Sequence, residues 1–278
     1  MQSKYHPVPI ISKLKDIPND ISTLAIVGLP CHIHGIRKME MLNLSLSKII
    51  RLRIGLFCGI NLNFLSIVHL AYRAANVEDL NKIEEIVYRA GEWPGRISIK
   101  LTSGKIVSLS IQEKDFITHI YASPRCTLCF DQTNEFADIS IGDAWLPELI
   151  NEREGHSIVI SRTKQGQEIL LNAQKAGYIT LKEISAEKVI NSQKPMMAFK
   201  KKTIFARLKL ASIFRPVPEY TIEKQESIKP LVYNYLGALL LYFNISLAKY
   251  KFARNIIKIL PSSILKKYTS IMRILLWR

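Results

Sequence analysis

Leu24-Ala-Ile-Val-Gly-Leu-Pro-Cys31 and Ile49-Ile-Arg-Leu-Arg-Ile-Gly-Leu-Phe-Cys58 decide the fold. Each is a short apolar run with β-branched residues that passes through a glycine into a cysteine, the pattern of a strand ending in a turn. Between them Ile33, Ile36, Met39 and Leu42 fall at helical spacing, and Leu62 to Ala75 forms a second helical stretch. The order strand, cysteine turn, helix, repeated once, is an α/β pattern. It sets both thiols at carboxyl ends of strands, where open α/β sheets place their ligands.

Working outward, the stripe Leu80, Ile83 and Ile86-Val87 predicts a helix over Val77–Val87. Arg96–Leu101 and Lys105–Ile111 alternate with period two around a Thr-Ser-Gly turn and read as a β-hairpin. A short helix around Glu113–Tyr121 delivers the loop Pro124-Arg-Cys-Thr-Leu-Cys-Phe-Asp131. Asp138–Gly142 and Ser157–Ser161 read as further strands, and Lys164–Ala176 as a helix stopped by Gly177. The expected fold is α/β (α+β), a mixed sheet with flanking helices and a cysteine-lined cluster site. The expected division is a domain over 1–198 and a basic helical extension over 199–278.

The net charge of +16 is uneven. Residues 199–278 carry 16 Lys and Arg against Glu219, Glu223 and Glu226, and no acidic residue follows Glu226. Such a segment suits an anionic surface, whether membrane headgroups, an acidic partner or, least expected, nucleic acid. Pro230 to Ala248 has no charge but is interrupted by Asn234, Gly237, Asn244 and Ser246. Two readings stay open for it, a helix lying at a membrane interface and an ordinary buried helix. The polar start Met1-Gln-Ser-Lys-Tyr-His-Pro7 lacks an apolar signal region, so a cytoplasmic location is expected, with peripheral attachment to the inner face of the membrane open to the tail. The thiols are then expected to be reduced and suited to metal.

Cys31, Cys58, Cys126 and Cys129 are the whole cysteine complement. A Cys-x-x-Cys pair alone serves zinc knuckles, redox dithiols and iron–sulfur clusters alike. A dithiol would need neither Cys31 nor Cys58, and a zinc knuckle usually has two close pairs. Spacing therefore leaves an iron–sulfur cluster, zinc, or unrelated buried cysteines.

Five ordered motifs carry a family resemblance: Gly28-Leu-Pro-Cys-His-Ile-His-Gly-Ile-Arg37, Gly55-Leu-Phe-Cys-Gly59, Tyr88-Arg-Ala-Gly-Glu-Trp-Pro-Gly95, Cys126-Thr-Leu-Cys129 and Ala137-Asp-Ile-Ser-Ile-Gly-Asp-Ala-Trp145. Residues 1–195 resemble the C-terminal region of the coenzyme F420 hydrogenase/dehydrogenase beta-subunit family. The resemblance implies an iron–sulfur flavoprotein oxidoreductase in which FAD exchanges hydride with a deazaflavin and single electrons with one [4Fe-4S] cluster. It implies Cys31, Cys58, Cys126 and Cys129 as the cluster ligands. Arg89, Trp93, Gly95 and Asp143 become cofactor-binding candidates, with Arg89 suited to a phosphate and Trp93 to a ring. Their bland reading is a hairpin entry with a core tryptophan and a capped turn. Reduced coenzyme F420 or a ferredoxin is the implied electron partner, and cell-surface polysaccharide synthesis one implied setting.

Departures from the family set further expectations. The chain starts about thirty residues before the first motif, so part of a flavin pocket is expected to be missing. His32 and His34 replace the family's usual residues and read as outlying histidines rather than ligands. The rival is a non-enzymatic zinc-stabilised binding or subunit module with a decayed flavin site.

Overall fold

The computed structural model describes residues 9–18, 20–42, 44–149, 152–220 and 230–277. Its strands are β1 Leu24–Gly28, β2 Ile50–Leu56, β3 Ile83–Ala90, β4 Arg96–Leu101, β5 Ile106–Leu109, β6 Ile139–Asp143 and β7 Ser157–Ser161. One sheet has the order β1-β2-β6-β7, with β1, β2 and β6 parallel and β7 antiparallel on the edge. The second is the antiparallel meander β3-β4-β5. The helix Pro30–Leu42 joins β1 to β2, and its Ile33 and Ile36 are fully buried with Ile26 and Ile50 of the sheet. Burying each such side chain contributes about 1.5–3 kcal/mol.

The helix expected over Val77–Val87 is not formed. Only Leu80–Lys82 makes a single tight turn, entered through the Asp79 carboxylate, which accepts the Asn81 N–H. Ile83 onward enters β3, which pairs Ile86 with Ile99 and Val87 with Ser98. Ile83, Ile86 and Val87 are β-branched, stiff in a helix and well suited to a pleated surface. The neighbouring hairpin supplies the ladder that a local pattern cannot reveal.

Among the described residues beyond 198 the main helices are Ile204–Ala211, Val232–Leu247, Lys251–Ile259 and Ser262–Leu276. They share one core with the body: Leu241, Ile257 and Met272 pack in the same cluster as Leu70, Tyr88, Ile97 and Ile117. Polar contacts fasten the seam, since Arg73 donates to the Leu260 carbonyl at 2.8 Å and to Ser262 Oγ at 2.6 Å. Lys258 pairs with Glu78 and lies over the Tyr72 ring at 4.5 Å. Among the described residues no helix is long and apolar enough to cross a membrane.

Candidate metal centre

β1 and β2 end in register, with Gly28 opposite Gly55, and both chains then turn into cysteine segments. Cys31 lies in the first turn of the helix Pro30–Leu42. Cys58 follows β2, its N–H bonded to the Gln132 carbonyl at 2.8 Å. The Cys126–Leu128 turn is sewn to the same loop, because Ser123 N–H reaches the Asn61 carbonyl at 2.8 Å and Asn61 N–H points to Cys126 Sγ at 3.4 Å. The four predicted ligand residues thus come to one end of the sheet, all free and half-buried. Cys58 feels the charge of the other three thiols, and Cys31 that of Cys126 and Cys129. Burial pushes the Cys58 thiol up to about 12, opposed by Lys200, and raises Cys31, opposed by Arg125. Among the described residues no three His, Cys, Asp or Glu side chains converge on a point that one ion would occupy.

The loop after the cysteine pair is a buried polar knot that the sequence reading missed. Asp131 accepts the N–H groups of Asn134 at 2.8 Å and Glu135 at 2.9 Å, and its Oδ2 meets His34 Nε2 at 3.0 Å. Asn134 Nδ2 donates to the Gly28 carbonyl at 2.9 Å and the Leu56 carbonyl at 3.3 Å, tying the ends of β1 and β2 together. That crossing explains Gly55: a Cβ there would stand 2.3 Å from the Asn134 side chain. The one sequence signal was an Asp and Asn placed as a turn directly after the cysteines. Both extra histidines are engaged elsewhere. His32 Nδ1 accepts the Leu29 N–H at 3.2 Å, while His34 is flanked by Phe130 and Phe136.

The second omission lies beyond residue 198. Arg207, wholly buried, donates through Nε to the Thr127 carbonyl inside the Cys126-Thr-Leu-Cys129 turn at 2.7 Å. Its other nitrogens reach Thr203 Oγ1 at 2.7 Å and the Phe199 carbonyl at 2.6 Å, and the guanidinium lies 3.7 Å over the Phe199 ring. Burial lowers its pKa to about 9, still leaving it cationic near neutral pH. Lys200, 1% exposed, is the buried cation acting on Cys58. Neither Lys200 nor Arg207 pairs with a carboxylate among the described residues. Tyr220 Oη caps the same turn by donating to the Leu128 carbonyl at 2.6 Å.

Arg89, Trp93, Gly95 and Asp143 also come together. Arg89 donates to Asp143 Oδ2 at 3.0 Å and to the Pro94 carbonyl at 2.8 Å, and its guanidinium lies beside the packed Trp93 and Trp145 rings, 5.2 and 5.1 Å from their centroids. Its buried Nε has no partner. Gly95 takes a φ of 80°, where a Cβ would press on the Arg89 backbone at 3.1 Å. Asp143 closes β6, two residues beyond the register pair Leu56–Ile141, and so leaves the sheet level with Cys58. Gln193 links the two groups, donating to the Asp143 carbonyl at 2.8 Å and accepting from Gln132 at 2.9 Å.

A mixed sheet with four free thiols at the carboxyl end of its parallel strands, beside an arginine–tryptophan niche, defines an α/β protein with a thiol-lined site. The chain belongs to the family described as the C terminus of the coenzyme F420 hydrogenase/dehydrogenase beta subunit, whose profile matches residues 21–187. Among its relatives is the coenzyme F420 hydrogenase subunit beta of Methanothermobacter thermautotrophicus, 29% identical over 67% of this chain and 62% of that protein. That of Methanococcus voltae is 27% identical over 66% of this chain and 61% of that protein. The coenzyme F420-dependent sulfite reductase of Methanocaldococcus jannaschii matches over 59% of this chain but 26% of its own length, at 26% identity. The chain spans about three fifths of the hydrogenase subunits it matches. A solved F420-reducing [NiFe] hydrogenase complex from Methanosarcina barkeri contains a chain with the same fold. Its TM-score is 0.56 at 23% identity, covering 75% of this chain and 70% of that one. Lys200, Arg207 and Tyr220 lie outside the matched region.

Proposed function

We propose that the chain is an oxidoreductase module linked to coenzyme F420, with a [4Fe-4S] cluster on Cys31, Cys58, Cys126 and Cys129. The observation that carries this is the gathering of four free thiols at one sheet end, with two buried cations behind them that have no carboxylate of their own among the described residues. A zinc ion would need its thiolates about 2.3 Å from a single point, whereas a four-iron cluster gives each iron its own thiolate. The donor set fits the cluster.

When bound, the cluster supplies single-electron transfer and an adjoining FAD supplies hydride exchange. The protein's part is placement and charge. Asn134 and Asp131 fix the loops that present the thiolates, and Asn61 N–H offers a hydrogen bond to Cys126 Sγ. Lys200 and Arg207 set positive charge against the thiolates in a site poor in water, where it is weakly screened. Arg89, Trp93, Gly95 and Asp143 are the proposed flavin contacts, supported by the unpartnered Arg89 Nε and by their position level with Cys58. Reduced coenzyme F420 or a ferredoxin is the proposed electron partner, and cell-surface polysaccharide synthesis a proposed setting.

Anaerobic purification tests the reading directly. Iron and acid-labile sulfide near four each per chain, with a flavin absorbance band, are expected on the cluster stoichiometry. A colourless protein holding zinc would overturn it in favour of a zinc-stabilised binding module.

A further inference from the structure

The helix Val232–Leu247 has two apolar faces and only one of them is covered. Asn234, Gly237, Ala238, Leu241 and Ile245 face inward, and a Cβ on Gly237 would collide with Leu275 at 2.8 Å. On the other side Val232, Leu236, Leu239 and Phe243, at positions i, i+4, i+7 and i+11, are 87, 51, 52 and 61% exposed. They form a continuous stripe about 16 Å long. No charged residue interrupts Pro230 to Ala248. A helix that is apolar all round belongs in a core or against lipid, and a contiguous exposed patch of this kind marks an interaction surface.

The next helix repeats the arrangement. Phe252, Ile256 and Ile259 stand out of Lys251–Ile259 at i, i+4 and i+7, again in solvent. The charges carried by the 230–277 helices themselves have one sign, with Lys249, Lys251, Lys266 and Lys267 exposed, while Glu78 of the body pairs with Lys258 beside the second stripe. The last acidic residue of the chain is Glu226. Exposed Tyr233 and Tyr250 sit at either end of the longer helix, rings suited to a polar–apolar boundary. At 16 residues the helix is about 24 Å long, short of the roughly 30 Å hydrocarbon layer.

We infer that the 230–277 helices form a docking face for an anionic lipid surface, with the Val232/Leu236/Leu239/Phe243 stripe seated among the acyl chains and the lysines among the headgroups. Apolar burial and electrostatic attraction act together there, as in other interfacial helices. The inference is independent of the redox reading, because none of these residues touches the thiols.

The test uses the full chain and sedimentation with vesicles of phosphatidylcholine, with or without about 30% phosphatidylglycerol. Binding to the anionic vesicles is expected, falling as salt rises from about 0.05 to 0.5 M, with little binding to neutral ones. The exposed triple variant Leu236→Ser, Leu239→Ser, Phe243→Ser should lower the vesicle-bound fraction at least about tenfold. Its thermal midpoint and iron content should stay in place. Equal binding by the triple variant, or no binding of the parent chain to anionic vesicles, overturns the inference. A parent dimer that the triple variant dissolves, without vesicle binding, also overturns it and assigns the stripe to a second copy of the chain.

Discussion

Two buried arginines, one in the sheet and one in the extension, are treated in opposite ways. Arg53 on β2 meets Glu40 and Asp138, so its charge is cancelled by neighbours a few ångströms away, with Asp138 also accepting the Arg53 N–H at 2.8 Å. Arg207 is buried still more deeply yet spends its donors on two carbonyls and a hydroxyl. A cation taken from water without a counter-ion is costly, so its retention points to negative charge close by. On the proposed reading the groups that supply it are the cluster-bound thiolates, Cys129 among them. In the body, charge serves the fold; at the seam, the proposed reading has it serve the site.

The contrast breaks if Arg207 is only a structural clamp. Arg207→Met keeps much of the volume, strands the Thr127 carbonyl and removes one of two donors to the Phe199 carbonyl, for an expected loss of about 3 kcal/mol in chemical denaturation. Iron content should fall as well. Lys200→Met, which leaves the Arg207 clamp intact, should keep folding closer to parent and move the cluster's midpoint potential downward in a redox titration. An unchanged potential would make Lys200 a packing residue.

The seam is also sensitive to acid. His119, buried against Trp277, has its pKa pushed down to about 4 by burial, with Arg273 adding to the effect and the Asp115 carbonyl opposing it. The unfolded imidazole takes a proton near 6.5. The unfolded state therefore binds more protons below that pH, so stability is full above about 6.5 and declines as pH falls toward 4, by up to about 3 kcal/mol. Denaturation midpoints from pH 7.5 to 4.5 check this, and His119→Gln should make the profile shallower, leaving the share of His69, whose pKa burial also pushes down to about 4. A smaller effect is expected from Asn134→Ala, about 2 kcal/mol from two lost ties between β1 and β2. Phe243→Ser, on the exposed stripe, should shift stability by less than about 0.5 kcal/mol.

The sequence disclosed the parts of this architecture that are local. β1, β2 and their cysteine turns announce themselves by composition, and the helix Pro30–Leu42 by its period. Val77–Val87 misled because a three- and four-residue apolar spacing also fits a strand once β4 lies beside it. The thiols were legible because cysteine is rare in the chain. Lys200 and Arg207 were not, since they stood among many basic residues and Arg207 meets its partner 80 residues away. Asn134 became visible only when its reach across Gly55 was seen.

That 80-residue reach has a consequence for synthesis. Every thiol is translated before the arginine that secures the Cys126–Cys129 turn, so the nascent chain offers its ligands while their clamp is still unmade. At about 5–20 residues per second the gap lasts roughly 4 to 16 s. On the proposed reading, cluster loading that waits for a finished turn must then follow the emergence of the helix Ile204–Ala211.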